Sequence, residues 1–384
     1  MKTSKNILII AGFFLIFNSS KAQEKEGATK TVRPFQITFI TPIGTNGTGS
    51  YRIANEFSLN ILAGVNGGSE AFELGGLLNI DHGDVEKFQL AGFGNVVSGS
   101  VNAVQIAGFS NINGGLTEGV QVGGFINISG GYAHAGQVAG FGNVSSELDG
   151  AQASGFFNVS GNSKGLQAGG FVNVGKDLNG AQVSGFTNIA ENVDGLQATG
   201  FINVAKKVKG LQLAGFINIC DTIDGIPIAP ISIVRKGGYQ KFELSMNESL
   251  YLNAGYKIGI RKFYTLFSLG IKPGISDYRW SIGYGAGTSM ILGERSSFDI
   301  EGHVYHFQDM LLKNWEYNQL NQLNLIFNFQ VAEHFSFFAG PSFNLLITKD
   351  ADSSYDIAPA WAFKIAERRN YLSGWFGFNA GFRL

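Results

Sequence analysis

From about residue 71 to residue 236, apolar and polar positions alternate in short runs separated by Gly-rich segments. In the run Leu166 to Val174, alternation places Leu166, Ala168, Gly170, Val172 and Val174 on one strand face. Gln167, Gly169, Phe171 and Asn173 take the other. A period of two is that of a β-strand, and the run recurs as Gln-x-small-Gly-Phe-x-Asn-(Val/Ile). One column of the repeat holds Gln89, Gln105, Gln121, Gln137, Gln152, Gln167, Gln182, Gln197 and Gln212, with a weaker first copy at Glu73. A second holds Phe93, Phe109, Phe125, Phe141, Phe156, Phe171, Phe186, Phe201 and Phe216. A third holds Asn95, Asn111, Asn127, Asn143, Asn158, Asn173, Asn188, Asn203 and Asn218. The step is 16 residues four times and then 15 residues five times. An apolar slot recurs in the connecting segments, at Leu148, Leu178, Val193, Val208 and Ile223. A degenerate copy from Ile226 to Pro230 has two prolines and reads as a terminal, capping rung.

Two arrangements fit such a strand. In a β-solenoid each repeat is one coil, and equal positions stack in parallel. In an outer-membrane barrel each repeat is one spanning strand. The motif is nearly palindromic, so antiparallel neighbours would pair Gln167 with Asn188 and Phe171 with Ser184. Three features favour the solenoid. The spacing shows no alternation of short turn and long loop. The repeats hold no Trp and a single Tyr, Tyr132, so they lack an interfacial aromatic girdle. Linker charges alternate at one-repeat spacing, through Lys176, Glu191, Lys206 and Asp221, and Lys209 falls between Asp194 and Asp224. Parallel stacking sets these opposites side by side, which marks register more than stability. The Gln, Phe and Asn columns are then ladders.

The flanks differ from the repeats. Residues 1–22 have the pattern of a cleaved secretory signal: Lys2 and Lys5, a short apolar run, then Ser20-Lys21-Ala22. Residues 23–33 read as a flexible leader and 34–70 as a strand pair. Residues 237–384 contain ten of the twelve tyrosines and all four tryptophans. About eight strands are expected there, near 239–246, 250–260, 262–271, 278–292, 297–308, 318–331, 334–348 and 373–384. Short connections, such as Arg261-Lys262, alternate with longer ones, the longest being Lys349 to Ser373. That alternation, with faces such as Leu323, Leu325, Phe327, Phe329 and Val331 against Gln322, Asn324, Asn328 and Gln330, fits an outer-membrane barrel. A soluble antiparallel barrel would alternate in the same way.

Composition narrows the functional classes. The formal net charge of −1 leaves no electrostatic footprint for nucleic acid. The 54 glycines come with only 7 prolines, which excludes a collagen-like chain and points to tight turns and close strand packing. The single cysteine, Cys220, sits where neighbouring copies carry a small residue and reads as a buried filler. His303 and His306 point to opposite strand faces, so they do not converge on a metal. Asp299, Glu301 and His303 share a face, either as a polar network in the barrel lumen or as the acid-base cluster of a lipid-modifying enzyme. The Gln and Asn ladders either pair with themselves or offer a sugar- or ion-binding face. Lys349 to Trp375 is a candidate lipid or partner contact.

In copies such as Gly165 to Val174 and Gly210 to Ile219, the chain resembles a family of bacterial surface-repeat proteins. That family occurs in Bacteroidetes and spirochaetes, with units like G-x-Q-x-G-x-x-N. The resemblance covers about residues 70 to 235 and implies a cell-envelope protein, with no catalytic residues to carry over. The Phe column departs from the commoner Leu. The expectation is an all-β chain: a solenoid-like repeat array followed by an antiparallel outer-membrane barrel, or one large barrel that includes the repeats. The corresponding function is a non-enzymatic surface protein without cofactor, in contact with outer-membrane lipid and an unspecified protein or glycan. A large pore is the alternative reading, and a lipid-modifying enzyme a third.

Overall fold

The computed structural model describes residues 31–273, 278–309, 318–349, 357–367 and 371–384; the signal segment and most of the leader lie outside them. The protein is all-β, with a parallel solenoid of about 12 turns and a separate antiparallel sheet of 9 strands. In the regular part each turn has one long strand, such as Asp177–Ser184 or Asn192–Thr199, and one short strand, such as Thr187–Ile189 or Ile202–Val204. Long strands pair with long strands in register, Gln167 with Gln182 and Gln182 with Gln197. Short strands pair with short strands, Asn173 with Asn188 and Asn188 with Asn203. The antiparallel pairing of Gln167 with Asn188 does not form, and the repeats are not strands of one large barrel.

The motif is two strands rather than one. The chain bends at Gly170-Phe171, between Ser163–Gly169 and Val172–Val174. Phe171 therefore leaves the face of Gln167 and Asn173 and points outwards, 41% exposed, while both amides are fully buried. Close stacking explains the corner glycine: a Cβ on Gly200 would lie 2.3 Å from the Gly185 carbonyl oxygen of the rung before. The change from 16- to 15-residue rungs is absorbed where Ser129 pairs with Ser145 but Tyr132 pairs with Glu147, so Gly130 and Gly131 together oppose Ser146. Thr31–Ile40 and Ile53–Asn66 also pair in parallel and begin the same stack.

The C-terminal strands run Tyr239–Met246, Leu252–Ile260, Phe263–Pro273, Tyr278–Ile291, Ser296–Asp309, Asn318–Ala332, Phe335–Thr348 and Tyr371–Arg383. Each pairs antiparallel with the next, and the last returns to the first through Leu244 opposite Phe382, closing an eight-stranded barrel. Its inward positions are largely polar, apart from an apolar group around Trp375, and its outward ones apolar. Gln322 and Asn324 are buried, whereas Leu323, Leu325, Phe327 and Phe329 are exposed. A ninth strand, Phe363–Glu367, lies within the segment expected to be one long loop. It pairs with the first part of the last strand, where Tyr239–Met246 does not reach.

The final rung of the solenoid packs on the outside of the barrel. Ile260 joins the buried apolar cluster of Leu178, Val193, Val208, Cys220 and Val234. The Thr265 hydroxyl donates to the Pro230 carbonyl at 2.7 Å, and Lys262 lies 4.0 Å from Asp224.

One substitution pair tests the stacking geometry. Gly195 has φ +139°, and a Cβ there would meet the Gly180 carbonyl oxygen at 2.0 Å, whereas nothing lies within 4 Å of a Cβ on Gly136. Gly195→Ala is expected to cost at least ~1–3 kcal/mol, while Gly136→Ala stays within about 0.5 kcal/mol. Denaturant unfolding of the two purified variants checks this.

Candidate functional site

All the sequence-predicted ladder amides come together inside the solenoid. Each Gln donates through Nε2 to Oε1 of the preceding rung, from Gln105 onto Gln89 at 2.7 Å to Gln212 onto Gln197 at 2.8 Å. The Asn ladder runs the other way. Each Asn Nδ2 donates to Oδ1 of the following rung, from Asn79 onto Asn95 at 2.9 Å to Asn203 onto Asn218 at 3.0 Å. The Asn direction is set by the backbone, because the same Nδ2 also donates to carbonyl groups, which only accept. Asn173 reaches the Val183 carbonyl at 2.7 Å and the Gln167 carbonyl at 3.1 Å. The Asn side chain thereby satisfies carbonyls beside the Gly-Phe bend.

The Gln ladder ends on an acceptor. Gln89 Nε2 donates to Glu73 Oε2 at 2.7 Å and to Asp81 Oδ2 at 2.7 Å. Asn60 Nδ2 donates to Glu73 Oε1 at 2.8 Å, and Asn66 Nδ2 donates to the same oxygen. Complete burial raises the Glu73 carboxyl above its ordinary range, only partly opposed by these donors and by its hydrogen bond with Asp81. Two carboxyl groups can share a hydrogen bond only if a proton lies between them. Further towards the N-terminus, Asn46 Nδ2 covers Gln36 at 2.5 Å and Asn55 at 2.9 Å. At the other end Gln212 is aligned with Pro227, whose side chain has no donor, and Gln212 Oε1 is left without a partner.

Outside, nine phenylalanines from Phe93 to Phe216 form one unbroken column, with neighbouring ring centroids 4.7–5.1 Å apart. Aliphatic columns flank it, such as Leu166 and Val183 on the long strands and Ile189 on the short ones. The charged residues gather on the opposite edge. Lys206 pairs with Glu191 at 3.1 Å, Lys209 with Asp194 at 3.0 Å and Arg235 with Asp221 at 2.8 Å. The first two are one-repeat complements that the linkers predicted; Arg235 was not among them. Cys220 is buried near the barrel, and burial pushes its thiol up to about 11.

In the barrel lumen, Asp299, Glu301 and His303 do share a face, and the fold supplies partners the sequence did not single out. Lys257 Nζ lies 3.0 Å from Glu243 and also contacts Glu301. Arg383 Nε donates to Glu243 at 3.0 Å and Nη2 to Glu301 at 3.3 Å, while Nη1 contacts Asp299. Tyr264 Oη donates to Glu301 at 2.8 Å, His303 Nε2 lies 3.2 Å from Glu301, and Tyr305 Oη lies 3.1 Å from His303 Nδ1. His306 faces outwards beside Tyr284. Towards the long-loop end, Leu250, Phe307, Leu320, Leu346, Ile357 and Trp375 form an apolar plug. Glu248 crosses the barrel seam, accepting from Trp375 Nε1 at 2.7 Å, Asn344 Nδ2 at 2.9 Å and the Phe378 backbone N–H at 3.2 Å. That N–H lies on the stretch of the last strand reached neither by Tyr239–Met246 nor by Phe363–Glu367. Among residues 349–375, positions 350–356 and 368–370 lie outside the described residues.

Glu73→Gln replaces the shared proton with an amide N–H. A carboxyl whose folded value is raised contributes most stability below its unfolded value of ~4.3, and that contribution is lost as pH rises through the folded value. The wild-type solenoid is therefore expected to lose stability as pH rises above about 4 and through the raised Glu73 value. In Glu73→Gln that slope should flatten, with a higher melting temperature at neutral pH, as followed by circular dichroism across pH. In the lumen, Arg383→Met strands Asp299 without its cation and leaves Glu243 with Lys257 alone. Breaking a buried ion pair costs about 3–5 kcal/mol, so Arg383→Met should melt at a clearly lower temperature than the wild type by circular dichroism.

No protein-family model, curated protein or solved structure matches this chain.

Proposed function

We propose that this is a non-enzymatic outer-membrane protein of the bacterial cell envelope, exported by a cleaved leader, in which the barrel is the membrane anchor and the solenoid a rigid surface for a structural or binding role. The observation that carries the reading is the inverted polarity of the barrel. Its interior holds Lys257, Arg383, Glu243, Asp299 and Glu301, and its outer wall exposes Leu325, Phe327, Phe329, Phe337 and Phe378. A wall of that kind matches hydrocarbon, and the seam between first and last strands is closed by Leu244 opposite Phe382, by Phe363–Glu367 and by Glu248 at the Phe378 N–H. The family resemblance of the repeats supports an envelope location. The acid-base cluster argues against catalysis, because its carboxylates and imidazole are occupied by ion pairs and hydrogen bonds to one another. The pore reading required the repeats as barrel strands; an eight-stranded barrel filled by side chains leaves no wide channel.

Fractionation tests the location. The full chain is expected in the detergent-resistant outer-membrane fraction, with a heat-modifiable gel mobility; recovery in the soluble periplasm would reject the anchor. In planar bilayers the purified protein should give no large ohmic steps, and their appearance would restore the pore.

A further inference from the structure

The solenoid, like the barrel, is polar within and apolar over most of its outer surface. Eight of the nine stacked phenylalanines are 37–49% exposed. At about 200 Å² per ring, the column alone exposes on the order of 700 Å², before the flanking aliphatic columns are added. Soluble monomers rarely leave a contiguous patch beyond about 300–600 Å².

Its attachment to the barrel gives this edge a direction. The buried apolar cluster of the solenoid's last rungs includes Val193, Val208, Cys220 and Val234 and takes in Ile260. Ile260 is paired with Phe263 on the outward side of the barrel wall, opposite in alternation to the inward Lys257 and Tyr264. The stacking axis therefore meets the wall from the side, so the solenoid projects laterally from the barrel. Asp224, on the charged edge, meets Lys262 in the short turn. Pro230, at the Phe corner, meets Thr265, three residues further along the outward face and in line with Phe267 and Leu269. At about 3.4 Å per residue, that is about 10 Å deeper into the wall. The Phe edge is thus on the side of the barrel's apolar belt, and the charged edge on the side of the short turns, which are periplasmic in such barrels.

We infer that the solenoid lies along the periplasmic leaflet, with its Phe edge immersed in phospholipid and its charged edge in water, as an interfacial amphipathic helix does. The inference rests on the barrel being the membrane anchor. The occupant is lipid rather than a second copy because the edge continues the barrel's own apolar wall.

The test uses the full-length chain with Cys220→Ala, reconstituted in phosphatidylethanolamine/phosphatidylglycerol vesicles. Single cysteines carry an environment-sensitive fluorophore at Phe186→Cys on the Phe edge, Asn179→Cys on the charged edge and Leu325→Cys on the barrel wall. Val183→Cys reports on the same edge without interrupting the Phe stack. Labels at 183, 186 and 325 are expected to be quenched by brominated lipid, and the label at 179 by aqueous iodide. Lipid quenching at 325 with iodide quenching at 183 and 186 would overturn the inference and leave the anchor intact. Protection of 183 and 186 from both quenchers would mean that protein covers the edge, which also overturns it. Iodide quenching at 325 would reject the anchor itself, and the inference with it.

Discussion

The solenoid depends on one constraint: a primary amide buried in a parallel stack is satisfied only by an equivalent amide one rung away. Gln167 and Asn173 have no water to bond, and each is completed by its neighbours in the same column. Leaving one such group unpaired costs about 1–3 kcal/mol. A one-residue slip would bury the aliphatic face and expose the amides, so it is penalised at every rung. Parallel register, close rung spacing, glycine at the bends and stacked phenylalanines all follow from keeping those amides in line. The two ladders run in opposite directions, so the amide dipoles of one oppose those of the other. Glu73 and Asn46 end the stack with side chains suited to terminate it.

The same constraint leaves the apolar residues outside. A narrow coil filled by Gln, Asn and small residues has room for apolar side chains only in the slot column, through Leu178, Val193 and Val208. Everything from the long-strand aliphatics to the Phe column must then face the surroundings. The barrel reaches the same polarity by another route, with a charged network through Lys257 and Arg383 at one level and an apolar plug around Trp375 at the other. Two modules with different topologies thus share one polarity, polar within and apolar without.

Much of this architecture was legible in the chain. A 15–16-residue step without alternation of turn and loop, and linker charges that complement each other at that step, favoured parallel stacking, because both are properties of neighbouring coils. The Gly-Phe bend was not legible: Gly170 and Phe171 continue the alternation, so the motif reads as one strand when it is two. The Phe column was consequently assigned to the amide face. In the barrel, local alternation placed Asp299, Glu301 and His303 together. Their cations lie 44 and 82 residues from Glu301, at Lys257 and Arg383, and only the barrel register brings them near. The Phe363–Glu367 strand stayed hidden because it is short and completes only part of an edge. Glu248 was missed for a related reason, since its role exists only where the seam leaves a backbone N–H uncovered.

Parallel register in the repeats is the claim on which the rest stands, and a disulfide reads it directly. Val193 and Val208 are register partners in adjacent long strands and both are buried. With Cys220→Ala removing the native thiol, the pair Val193→Cys and Val208→Cys should oxidise to one intramolecular bond, because parallel neighbours about 4.8 Å apart fall within disulfide reach. If the repeats were instead antiparallel membrane strands, the two positions would sit at opposite ends, and both thiols would remain free and open to a water-soluble maleimide.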